Sequence, residues 1–83
     1  MNINFSKHAL AQMSLRHISL TDAINVLESP DQIIEEEGKK IFQSVFLENN
    51  KPYLIRIFVN IQKIPNLVIT VYKTSKIDKY YEG

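Results

Sequence analysis

His8, Gln12 and Arg16 recur at four-residue intervals near the start of an 83-residue chain. On a helix that spacing drifts only about 40° per step, so the three line one polar stripe. Farther along, Arg56 and Tyr72 fall in strand-like segments, and Lys73, Lys76, Lys79, Tyr80 and Tyr81 crowd the end. Bases, cations and phenols of this kind can cleave RNA without a metal. One group takes the proton of a 2′-hydroxyl, another protonates the leaving oxygen, and cations stabilise the phosphorane. Rings set among lysines can also stack exposed bases. The set is sufficient for that chemistry, but the same residue types decorate many solvated surfaces, and the inventory alone leaves the choice open.

Other chemistries find little support. The only histidines, His8 and His17, stand nine apart with no cysteine to help them, so a zinc site of ordinary spacing is not expected. Two glycines cannot build a phosphate-cradling loop. No nucleophile elbow or pair of catalytic carboxylates stands out. The triplet Glu35–Glu37 reads best as a solvated strand edge or turn.

The elements that would position these residues follow from period and punctuation. "FSKHALAQMSLRHI" predicts a helix over about 6–17 with Ser6 as N-cap and Ala9, Leu10, Met13 and His17 inward. "SLTDAINVLESP" predicts a second over about 20–29. Ser19 and Asp22 approximate a capping box, Leu20, Ala23, Ile24 and Leu27 share a face, and Pro30 stops the helix. Beyond Pro30 the period becomes extended, with strands expected near 32–36, 40–47, 53–61 and 67–74. Gly38, the pair Asn49 and Asn50, and Pro65 mark the turns between them. Connections this short favour antiparallel neighbours. The expectation is an α+β domain, two N-terminal helices packed on a four-stranded antiparallel sheet, with residues 75–83 as a basic, aromatic tail.

Alternation assigns the faces. Tyr53, Ile55, Ile57, Val59 and Ile61 oppose Leu54, Arg56, Phe58 and Asn60, and Leu67, Ile69 and Val71 oppose Val68, Thr70, Tyr72 and Thr74. The fully aliphatic faces are expected to meet the helices. Arg56 and Tyr72 would then share an open face, which serves equally as a work surface or as plain solvent-facing sheet.

Composition sets the outer bounds. With 45% hydrophobic residues and no cysteine, the chain is one folded domain without disulfides, near the lower size limit for a single core. No apolar run is long enough to span a bilayer and the start lacks signal-peptide character, so a cytoplasmic location is expected. Charge is unevenly divided. Residues 1–48 hold four Lys/Arg against seven Asp/Glu, and residues 49–83 hold six against two. That polarity can steer an anionic partner toward the C-terminal half, or simply reflect solvated faces.

Taken together, "FSKHALAQMSLRHIS", "LTDAINVLESPDQIIEEEGKKIFQ", "KPYLIRIFV" and "VITVYKTSKIDKYY" resemble a small bacterial family, domain of unknown function 4258, over nearly the whole chain. That family is similar to RelE/ParE-like and BrnT-like toxins, which pack two helices on an antiparallel sheet. The resemblance implies a toxin neutralised by a small antitoxin protein. The target would be RNA, including ribosome-bound mRNA, in the RelE manner, or gyrase in the ParE manner. It carries polar positions over onto His8, Arg16, Lys40, Tyr72 and Lys73. Two residues depart from the pattern. Gln12 replaces a common basic residue, and His17 stands where glycine is frequent and must adopt the turn that glycine takes without strain.

Three readings result. In the first, a metal-independent ribonuclease uses His8, Arg16, Arg56, Tyr72 and Lys73 for chemistry and Lys40, Lys76, Lys79, Tyr80 and Tyr81 to hold RNA. The second is a binding protein without catalysis, and the third a degenerate domain kept for assembly. No cofactor is implied by any of them.

Overall fold

A computed structural model describes residues 2–82. The elements run β1 (Ile3–Phe5), α1 (Lys7–Leu15), α2 (Leu20–Glu28), β2 (Gln32–Glu36), β3 (Lys39–Glu48), β4 (Lys51–Asn60), β5 (Asn66–Thr74) and α3 (Ile77–Tyr80). The class is α+β, but the sheet has five strands in the order β1-β5-β4-β3-β2. The added strand, β1, pairs in parallel with β5, so the sheet is mixed and not purely antiparallel. Three residues are too few to show a period, and their pairing depends on a strand more than sixty positions away, which local reading cannot see. Among the described residues no helix is long and apolar enough to cross a membrane.

The caps and turns form for the reasons the residues supply. Ser6 Oγ accepts from Ala9 N at 3.0 Å and Ser19 Oγ from Asp22 N at 3.0 Å, each satisfying a free donor of the first turn. At the end of α1, Ile18 N donates to Met13 O at 2.9 Å and His17 N to Ser14 O at 3.4 Å. This is a Schellman turn, and His17 takes its left-handed position at φ 56°. Asn49 and Asn50, both at positive φ, close the two-residue β3–β4 hairpin. Gly38, at φ 79°, does the same for β2–β3, and a Cβ there would meet the Gln62 side chain at 2.7 Å.

One sheet face carries the main core. Ile55, Ile57 and Val59 of β4 and Val68 and Val71 of β5 pack against Ala9, Met13, Ile18, Ala23, Val26 and Leu27. The inner face of α2 is therefore Ala23, Val26 and Leu27, rotated from the expected one, while Leu20 and Ile24 stay exposed. On α1 likewise, Leu10 and His17 lie outside and Ala9 and Met13 inside. A bulge in β5 explains the other reassignment. Phe58 pairs with Thr70 but Val59 with Val68, which leaves Ile69 unmatched and reverses the alternation before it. Val68 thus enters the core that the regular pattern denied it, and Leu67, paired with Asn60, turns to the other face.

The other face is not open. Leu54, Ile41, Gln43 and Arg56 on it are all buried. The segment expected to be a tail folds back as α3, and its contacts cover Gln43 and Arg56.

Candidate functional site

Arg56 centres the second face. β4 aims it away from the helices, between Gln43 of β3 and Tyr72 of β5, its cross-strand partners. Its Nε donates to Gln43 Oε1 at 2.8 Å and its Nη1 to Tyr72 Oη at 2.7 Å. Three rings surround the guanidinium carbon, with centroids at 4.4 Å for Tyr80, 5.2 Å for Phe58 and 5.8 Å for Tyr72. Phe58 and Tyr72 stack at 6.0 Å, and Tyr80 meets Tyr72 edge-on at 6.3 Å.

The charge is unusual in its surroundings. Arg56 is 7% exposed, yet the ion pairs among the described residues join Lys40 to Glu35 and Lys73 to Glu48, leaving Arg56 without a carboxylate. A buried cation without a counter-charge is costly, and two hydrogen bonds and the aromatic faces offset that cost in part or whole. Nη2 makes no hydrogen bond among the described residues. Tyr72 accepts from the guanidinium, so its own hydroxyl hydrogen remains available to an acceptor. The face therefore offers a cation and a phenolic donor side by side, with stacked rings beside them.

Gln43 is the residue that sequence reasoning missed. It is fully buried, and it orients Arg56 with Oε1 while Nε2 donates to Gln32 Oε1 at 2.7 Å and Tyr80 O at 3.1 Å. A signal existed. Ile41, Gln43, Val45 and Leu47 share one face of β3, and a single amide inside an apolar alternation asks for a buried partner.

The expected site residues separate into two groups. Arg56, Tyr72 and Tyr80 converge, with Lys79 Nζ at 5.3 Å from the Tyr80 ring centroid. Lys76 and Tyr81 flank α3 on either side. The rest lie elsewhere. Ser6 N donates to Val68 O, and Gln12 Oε1 accepts from Val71 N at 2.9 Å, so α1 runs along the outer edge of β5. One more helical turn, about 6 Å, brings Arg16 level with Lys73, about 6.6 Å further along the strand. His8, a turn earlier, lies level with Ile69. Neither reaches the Arg56 face. Gln12 caps an edge donor of β5.

Lys73 pairs with Ile55 and so lies on the helix side, bound to Glu48 at 2.9 Å and 5.8 Å from the Tyr53 ring centroid. It borders a cavity of about 160 Å³ beneath the α1–α2 join, shared with His17, Asp22, Phe46 and Tyr53. Lys40 lies at the β2–β3 edge, 3.6 Å from Glu35. Among the described residues no cluster of three His, Asp or Glu is placed to hold a metal.

Fold and site together define a small two-layer α+β domain that buries an arginine under aromatic rings on the side away from its N-terminal helices. The chain belongs to the family described as domain of unknown function DUF4258, whose model matches residues 5–73. No curated protein and no solved structure matches it.

Proposed function

We propose that this protein is the toxin of a toxin–antitoxin pair and acts on RNA through its second sheet face. The observation that carries this reading is Arg56, a buried cation with no carboxylate partner among the described residues, whose neighbours are a phenolic hydroxyl and stacked rings. A phosphodiester supplies a negative charge that no described residue provides, and the guanidinium, whose Nη2 makes no hydrogen bond among the described residues, matches its oxygens. In cleavage, the 2′-oxygen attacks phosphorus and the bond to the 5′-oxygen breaks. The 2′-proton passes to water, Tyr72 donates its proton to the departing 5′-oxygen, and solvent restores it. Arg56 stabilises the charge on the phosphorane. Lys76 and Lys79 raise the local potential for the backbone. His8 and Arg16 take no part, since α1 holds them on the other layer.

A protein target without RNA cleavage is the second reading, favoured by exposed Leu15, Leu20 and Ile24 at the helix join and along α2. Inducible expression of the wild type, Tyr72→Phe and Arg56→Lys, with cell growth and total RNA followed, separates the two. The ribonuclease reading expects growth arrest with RNA fragments ending in cyclic phosphate, lost in both variants. Arrest with intact RNA would sink that reading and leave the protein-target one.

A further inference from the structure

Residues 77–82 lie across the face assigned above, and what holds them is specific. Tyr80 covers the Arg56 guanidinium at 4.4 Å, and its carbonyl accepts from Gln43 Nε2 at 3.1 Å. Gln32 reads both backbone groups of Glu82, accepting from its N–H at 3.0 Å and donating to its carbonyl. No ion pair among the described residues joins the segment to the sheet. α3 has four residues, none buried, and no side chain caps its start. A single helical turn has little stability of its own in water, so the segment stays closed through its contacts with the sheet, including those of half-buried Ile77, Tyr80 and Tyr81. A second observation comes from the family match, which ends at residue 73, before the segment begins. The matched stretch stops within the last residues of β5, and the cover over Arg56 lies beyond it.

We infer that residues 77–82 form an intramolecular strap that closes Arg56 to phosphodiesters, so that single-stranded RNA and Tyr80 compete for one guanidinium. The inference rests on the RNA reading. In the closed form the guanidinium has Nε on Gln43, Nη1 on Tyr72 and a face under Tyr80. Lifting the strap uncovers that face and leaves the site assembled, because Gln43, Arg56 and Tyr72 all belong to the sheet. RNA that binds only the open form shifts the population toward it, and its apparent affinity is reduced by the fraction closed.

Gln32→Ala tests this, because it removes both bonds to Glu82 and leaves every charge and ring of the face in place; the Gln43 bond to Gln32 goes with them, but Gln43 keeps its bonds to Arg56 and to Tyr80 O. The probe is a fluorescent octauridylate at low salt. Two readouts follow the strap without RNA: hydrogen exchange of residues 77–82, and the rate of phenylglyoxal modification mapped to Arg56, with exposed Arg16 as internal reference. The variant is expected to exchange faster over 77–82, modify faster at Arg56, and bind the octamer about three- to tenfold tighter. Faster exchange with unchanged modification and unchanged RNA affinity would overturn the strap. Faster modification with no octamer binding to either protein upholds the strap and overturns the RNA reading. A chain ending at Lys76 retains all five strands and repeats the modification measurement if loss of Gln32 disturbs β2. Arg56 modification no faster in that chain than in the wild type overturns the strap outright.

Discussion

On its helix side the sheet is sealed by Ala9, Met13, Ala23, Val26 and Leu27 against Ile55, Ile57, Val59, Val68 and Val71. On its other side a six-residue segment covers an arginine, two glutamines and a tyrosine by hydrogen bonds and ring contacts. Both sides exclude water from β4, but they do so with different consequences. Aliphatic packing has no preferred partner other than more of itself, and it disappears only when the domain unfolds. The polar side is held by directional contacts that a competing ligand can replace one for one. One face makes the molecule stable, and the other can change state without loss of the fold.

The contrast can be broken by substitution. The largest effect belongs to Ile57→Ala, which empties a fully buried position of the helix-side core. It should cost about 2–5 kcal/mol, read as a lower urea midpoint at unchanged slope. Arg56→Met is expected to stay within about 1 kcal/mol of wild type, since relief of a buried charge offsets the acceptor left on Gln43, while octamer binding is lost. A stability loss as large as that of Ile57→Ala would show that both faces are structural. His17→Gly should raise stability by about 1 kcal/mol, visible as a higher thermal midpoint, because it relieves the left-handed histidine without altering either face. Smallest is Lys73→Ala, which removes the pair with Glu48. A loss of about 0.2–1 kcal/mol that shrinks in 0.5 M salt is expected.

Much of the fold could be read from local chemistry. Ser6 and Ser19 cap as their side chains dictate, Asn49 and Asn50 take the turn their tolerance of positive φ permits, and alternation correctly places Arg56 and Tyr72 on one face. The failures share a cause. β1 has no period of its own, and the bulge at Ile69 inverts a regular pattern. In the sequence the strap reads as a tail because polar residues ordinarily face water. Its docking depends on Gln32, Gln43 and Arg56, which come together only after the sheet forms. For the site, the cation and phenol were legible, but the amide that orients them and the separation of His8 and Arg16 from them were not.

Gln12 has one further implication. By accepting from Val71 N it occupies the outer side of β5 beyond the end of β1, so a strand added along that stretch would have to displace it. The opposite border, β2, has no neighbouring strand among the described residues, and it carries Glu35 and Glu36 with Glu37 at its turn. Like charges there oppose growth of the sheet by self-addition. The molecule thus opposes strand addition by a plug on β5 and by repulsion along β2, and of the two only the repulsion can be removed by altering charge alone.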